Sequence, residues 1–138
     1  MTGHEDGYVI RNDTFIYALT SDGSYQKVFG KGIASLLEKT RETGSVNEAC
    51  RDLGISYSKA MKIIKRAEQM IQVVLLERRK GGSDREGSKL TRDADKLLSL
   101  FRELEAENKK VAAANGGKFI DGLEQIRKSQ SNNNGREI

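Results

Sequence analysis

The stretch SVNEACRDLGISYSKAMKIIKRAEQMI, residues 45–71, decides the fold. Ser45-Val46-Asn47-Glu48 is a capping box, in which the Ser45 hydroxyl accepts the Glu48 backbone N–H while the Glu48 carboxylate reaches back. The helix it opens is short and ends at Gly54, where a left-handed C-terminal residue is expected. Ser56 is then a natural N-cap for the next helix. In that helix Ala60, Ile63, Ile64, Ala67 and Met70 or Ile71 form the buried stripe, and Tyr57, Lys59, Lys62, Lys65 and Arg66 occupy the other face. Two helices of this size joined across Gly54-Ile55-Ser56, the second with a basic outer face, are the parts of a helix-turn-helix.

Upstream, the period is also helical from Gly30: Ile33, Leu36, Leu37 and Thr40 share one face, and Gly44 stops the helix after Thr43. Before it, Phe15, Tyr17 and Leu19 alternate with Thr14, Ile16 and Ala18. Ser21-Asp22-Gly23-Ser24 supplies a turn and Tyr25 to Phe29 returns, so a β-hairpin is expected. Downstream, Val73 to Glu77 is an apolar run suited to a strand. A glycine-rich basic loop over 78–89 follows, with a short return at Leu90-Thr91. Strand, basic loop and return placed directly after the third helix describe a wing.

The 138 residues suffice for one core, and a chain of this size buries roughly two-thirds of its unfolded surface without needing a disulfide or a metal. Hydrophobic residues at 36% and aromatics at 6% suit a small, well-solvated helical protein, and a single cysteine excludes an intrachain bridge. No apolar run approaches the ~20 residues of a membrane span, and residues 1–7 lack the basic and apolar regions of a signal peptide, so a cytoplasmic protein is expected. The expected fold is mainly α: a winged helix-turn-helix with an N-terminal β-hairpin and a long C-terminal dimerisation helix. Its expected organisation is a flexible N-terminus at 1–12 and the winged domain at 13–91. A dimerisation helix with a short C-terminal helix follows at 92–127, then a disordered tail at 128–138.

These residues resemble a known family, the N-terminal DNA-binding domain of ModE-type molybdate-responsive regulators, itself related to the LysR-type winged helix. The matching pieces lie in order over about residues 29–104. Phe29-Gly30-Lys31-Gly32 leads into Leu36-Leu37-Glu38, and Thr43-Gly44-Ser45-Val46 precedes Glu48-Ala49-Cys50. Leu53-Gly54-Ile55-Ser56-Tyr57 opens the third helix, Leu76-Glu77-Arg78 precedes Gly81-Gly82, and Leu90-Thr91 opens the last helix. The chain departs from the family where Met61 stands in place of a frequent tryptophan and where Asp84-Arg85-Glu86 interrupts the wing. Some 27 residues follow Val111, too few for the oxyanion-binding region of the full-length regulators. The resemblance therefore implies DNA binding and does not imply molybdate sensing.

Charge is concentrated where that reading needs it. From Ser56 to Arg92 ten basic residues face four acidic ones, a net +6, while the whole chain carries +4. In a helix-turn-helix the first residues of the second helix reach base edges in the major groove, here Tyr57, Ser58, Met61 and Lys62. Ser45, Ser56, Lys59, Lys65 and Arg66 are the expected backbone contacts, and Arg78, Arg79, Lys80, Arg85 and Lys89 the wing contacts. The plain alternative for the lysines is a solvated helix face, and for the wing a mobile loop. Cys50 reads as a small core residue. His4, without a second histidine or cysteine nearby, marks no metal site. Gly30-Lys31-Gly32 lacks the rest of a phosphate loop, so neither catalysis nor a cofactor is expected.

Beyond the wing, apolar residues recur at 4,3 spacing: Ala94, Phe101 and Asn108 take heptad position a, and Leu90, Leu97, Leu104 and Val111 take d. A lone asparagine on such a seam fixes register, so a homodimer is expected through Ala94, Leu97, Phe101, Leu104, Asn108 and Val111. The alternative is that the first half of this helix packs on its own domain and the second half frays. Gly116-Gly117 is expected to end the helix, and Phe119, Ile120, Leu123 and Ile126 to form one more short amphipathic segment. Together these features predict a sequence-specific, double-stranded-DNA-binding transcriptional regulator, dimeric and repressing, without its own ligand-sensing domain. The other reading is a winged-helix module that binds an acidic protein partner.

Overall fold

Local turn chemistry sets where each helix starts and stops in the computed structural model, which describes residues 2–3, 7–77 and 87–136. The elements run β1 (Thr2–Gly3), β2 (Val9–Ile10), β3 (Ile16–Leu19), β4 (Tyr25–Phe29), α1 (Lys31–Thr43), α2 (Val46–Leu53) and α3 (Tyr57–Ile71). After them come β5 (Leu76–Glu77), β6 (Lys89–Leu90) and α4 (Arg92–Arg136). Gly44 closes α1 at φ 78° and Gly54 closes α2 at φ 69°, left-handed positions where a side chain would be strained. Ser45 caps α2 by accepting the Glu48 N–H at 3.3 Å. The return half of the expected capping box is replaced: the Ser45 N–H goes to Thr43 Oγ1 at 3.4 Å. Ser56 caps α3 through the Lys59 N–H at 3.1 Å.

The chain divides into two compact units, residues 13–104 and residues 1–12 with 105–138. In the first, β3 and β4 form the expected antiparallel hairpin, with Tyr17 opposite Lys27 and Leu19 opposite Tyr25. Gly23 at φ 87° makes its turn. The Asp22 carboxylate accepts hydrogen bonds from the Ser24 hydroxyl at 2.6 Å, the Thr20 hydroxyl, and the Ser24 N–H at 3.0 Å. These donors hold its pKa down to about 2. The core is one apolar cluster drawn from every helix of the unit: Leu36 and Leu37 of α1, Val46 and Cys50 of α2, Ile64 and Ala67 of α3, Leu98 and Phe101 of α4. The Phe29 and Phe101 rings meet edge to face, centroids 5.0 Å apart. Around this core Arg102 clasps Glu38 with two bonds, 2.8 and 2.6 Å, joining α4 to α1 and lowering the Glu38 pKa below 4.5.

The strand expected at Val73 to Glu77 shrinks to Leu76–Glu77, paired with Lys89–Leu90. The preceding residues spend their backbone elsewhere. Glu68 Oε2 takes the Leu75 N–H at 2.8 Å, and the Val74 and Leu75 carbonyls accept from Thr91 Oγ1 and N at 2.6 and 3.0 Å. The wing's return limb is tied to the α1–α2 turn: the Ser88 N–H donates to the Gly44 carbonyl at 2.8 Å.

The second unit departs most from expectation. One helix runs from Arg92 to Arg136, through Gly116-Gly117 and into the stretch expected to be a disordered tail. Each mid-helix glycine costs about 1 kcal/mol. Here Gly116 admits the Ile10 side chain, with which any Cβ at that position would collide. Beyond it the helix is extended rather than nucleated anew, and each added residue gains one hydrogen bond. The N-terminal segment, expected to be flexible, contributes the β1–β2 pair, with Thr2 opposite Ile10 and Gly3 opposite Val9. Tyr8 Oη accepts a hydrogen bond from Arg127 at 3.0 Å. His4, in the same segment, lies outside the described residues.

Candidate nucleic-acid interface

The outward face of α3 follows from which of its residues the core consumes. Ala60, Ile64 and Ala67 are buried, so positions half a turn away point outward, and these are Ser58, Lys62, Lys65 and Gln69, all exposed. Lys59 and Arg66 are exposed on the flank of this stripe. Among the described residues none of Lys59, Lys62, Lys65 and Arg66 is engaged in an ion pair. Several basic residues on other elements are paired: Lys39 with Glu42 and Asp52 at 3.6 and 3.9 Å, Arg41 with Asp95 at 3.1 Å, Arg102 with Glu38 at 2.6 Å. Glu68 is the one carboxylate on α3, and it turns to the Leu75 and Leu76 backbone N–H groups. The result is a cationic stripe on α3 without an ion pair among the described residues.

The expected base-contacting residues separate by position. Ser58 and Lys62 lie on the outward stripe. Tyr57 is 42% exposed at the first turn. Met61 instead packs, half-buried, against the core cluster, which reduces the apolar surface it offers outward. Of the expected backbone contacts, Ser45 and Ser56 each spend an acceptor lone pair on a cap and keep a hydroxyl proton to donate. Lys89 is exposed on the wing's return strand opposite Glu77. Arg78, Arg79, Lys80 and Arg85 lie outside the described residues. Gln69 was missed in the sequence reading, although the 58, 62, 65, 69 spacing carries the signal. Exposed Arg92, at the first position of α4, was counted only toward the charge.

The expected dimer seam is split by the fold. Ala94 and Phe101, two of its three a positions, are fully or almost fully buried in the chain's own core, at 0% and 4% exposure. A residue packed within the domain cannot also pack across a two-fold. Of the d positions, Leu97 is half-buried while Leu104 and Val111 are exposed at 41% and 59%. Asn108 is half-buried. In the 13–104 unit Leu97, Leu100 and Leu104 line an apolar groove of about 410 Å³ with Ile16, Ile71 and Val73. Cys50 packs in the core as expected, its thiol directed at the Ser56 carbonyl 3.8 Å away.

Among the described residues no group of side chains is arranged to hold a metal ion, and no helix is long and apolar enough to cross a membrane. Residues 34–95 match the family model described as bacterial regulatory helix-turn-helix protein, lysR family. Similar curated proteins include the molybdenum transport protein ModE of Herbaspirillum seropedicae, 35% identical over 74 residues, 54% of this chain and 28% of the relative. The DNA-binding transcriptional dual regulator ModE of Escherichia coli K12 is 36% identical over 67 residues, 49% of this chain and 26% of the relative. The transcriptional regulator ModE of Haemophilus influenzae is 34% identical over 70 residues, 51% of this chain and 28% of the relative. The chain thus spans little more than a quarter of the length of these relatives. The matched span contains α2, the turn, α3 and both wing strands, and on fold and sequence together residues 34–95 are a ModE-like helix-turn-helix domain of the LysR type.

Proposed function

We propose that this chain is a transcriptional regulator that binds double-stranded DNA as a homodimer and represses by occluding a promoter. The observation that carries the reading is the exposed stripe of Lys62 and Lys65 beside Ser58 on α3, flanked by Lys59 and Arg66 and in no ion pair among the described residues. Laid in a major groove, the first turns of α3 bring Tyr57, Ser58 and Lys62 to base edges, with Met61 able to meet a thymine methyl at its margin. Ser45, Ser56, Lys59, Lys65, Arg66 and the wing residues Arg78, Arg79, Lys80, Arg85 and Lys89 contact phosphates. Each phosphate so neutralised releases counterions, making affinity steeply salt-dependent. The LysR-type family match and the regulators among its relatives support the same function.

Homodimerisation is supported by the groove of Leu97, Leu100 and Leu104, since Leu100 is 57% exposed on a helix whose neighbouring face is fully packed. A two-fold protein reads an inverted repeat with half-sites one helical turn, or a multiple of it, apart. Selection of duplexes from a random pool, followed by anisotropy titration of the best sequence across salt, tests the whole reading. Enrichment of an inverted repeat with a steep salt slope is expected. Lys62→Ala is expected to relax base preference, and Lys65→Ala to weaken all duplexes alike and reduce the slope by about one. Failure to enrich any sequence overturns the reading.

A further inference from the structure

We propose that a cavity beside α3 binds a small organic monoanion with an apolar body, of the class of a single-ring aromatic carboxylate. The cavity, about 230 Å³, lies where the β-hairpin, the start of α1 and the middle of α3 converge. Its walls are apolar, supplied by Phe15, Val28, Phe29, Ile33 and Ile63, and its charged lining residues are Lys27 and Arg66, with no carboxylate among them. Lys27 Nζ stands 4.8 Å from the centroid of the Phe15 ring, which places a cation against an apolar wall. Arg66 is exposed, and among the described residues it is in no ion pair.

The Gly30-Lys31-Gly32 segment, too short for a phosphate loop, borders the same space. Gly30 precedes α1 without a side-chain cap, no acidic residue lies in the first turn, and a Cβ at Gly32 would meet nothing within 4 Å. Both charged residues of the lining are therefore cationic, and the space beside Gly32 is open. An inorganic anion would leave the aromatic walls wet, and a neutral apolar molecule would leave the Arg66 guanidinium to solvent. A carboxylate on a ring satisfies both: the ring covers Phe29 and Ile63 while the carboxylate takes the Arg66 fork. The volume is below the roughly 300–1,000 Å³ of drug-sized sites, which limits the ligand to about one ring. Because α3 contributes Ile63 and Arg66, an occupant withdraws Arg66 from phosphate contact, a consequence that rests on the DNA-binding reading above.

Benzoate is the probe, titrated into the ¹⁵N-labelled protein without DNA, with benzamide and acetate as controls. The expected result is saturable shifts at the Gly30, Gly32, Ile63, Arg66 and Ala67 amides. Benzamide and acetate should each bind at least about tenfold more weakly, as should benzoate to Arg66→Gln and to Lys27→Gln, both substitutions of exposed residues that leave the core intact. Shifts that fail to saturate, that scatter over other surfaces, or that benzamide or acetate reproduces at equal strength overturn the site. Anisotropy with a duplex then separates the two readings. Benzoate should weaken duplex binding by the wild type and leave Arg66→Gln unchanged. Duplex binding indifferent to a saturating benzoate overturns the coupling. Saturable benzoate binding by a protein that binds no duplex would overturn the DNA-binding reading and leave the site standing.

Discussion

Phe101→Ala distinguishes a residue of the domain core from a residue of a dimer seam. The ring is 4% exposed, meets Phe29 edge to face at 5.0 Å, and sits beside Leu98 in the cluster that joins α4 to the rest of its unit. Removing a buried phenyl costs about 3–5 kcal/mol, of which the edge-to-face contact accounts for about 0.5–1.5 kcal/mol. A domain of this size holds roughly 5–15 kcal/mol in all and loses about 4–8 °C of Tm per kcal/mol, so the variant should melt at least about 12 °C lower. Phe101→Leu keeps most of the volume and should lose about 1–1.5 kcal/mol, which guards against a variant that fails to fold. Urea unfolding followed by circular dichroism, repeated over a wide range of protein concentration, is the assay. A cost in the stated range for Phe101→Ala that does not change with concentration is expected. A loss below about 1 kcal/mol, or one seen only where the wild type is dimeric, would refute the assignment of Phe101 to the intrachain core. Leu100→Asp provides the counterpart: at 57% exposure it should shift sedimentation toward monomer while changing unfolding of the monomer by less than about 0.5 kcal/mol.

Gly87→Val should destabilise by about 1–3 kcal/mol in thermal melts, since φ is +87° and a Cβ there lies 2.7 Å from the Gly44 carbonyl; an unchanged Tm would contradict the tie between wing and α1–α2 turn. Glu38 has its pKa lowered from 4.5 by the bidentate Arg102, so its contribution is fully present above pH 4.5 and disappears as pH falls through the lowered value. Glu38→Gln should flatten that part of the acid limb of a stability profile, and an identical slope in both proteins would show the pair to be inert. Ser56→Ala removes the α3 cap and should cost about 1 kcal/mol in urea unfolding, with Ser56→Thr recovering most of it.

The division between what was legible in the sequence and what was not follows the range of the interactions involved. Gly44, Ser45, Gly54 and Ser56 announce two helix boundaries and the turn between them because each cap closes a hydrogen bond only three or four residues away. The Asp22-Gly23 hairpin turn and the buried stripe of α3 are local in the same sense, and with them came the basic face on which the functional reading rests. The shape of that face was only partly legible. That Lys62 and Lys65 share its centre with Gln69, while Met61 leans inward, depends on where the core lies around α3.

By itself the sequence determined the order of the helices, their caps, the hairpin and the concentration of positive charge between Ser56 and Arg92. Tertiary structure alone decided who uses the apolar positions of α4. Heptad spacing records that a helix face will be covered, and it is silent on whether the cover is the same chain or another; here Phe29 and the core claim Ala94 and Phe101 and leave Leu100 and Leu104 outside. Tertiary structure also decided that α4 continues through Gly116-Gly117, because the side chain that needs the missing Cβ is Ile10, at the opposite end of the chain. A local pattern states what a residue prefers, and packing against a distant residue supplies the free energy that overrides the preference.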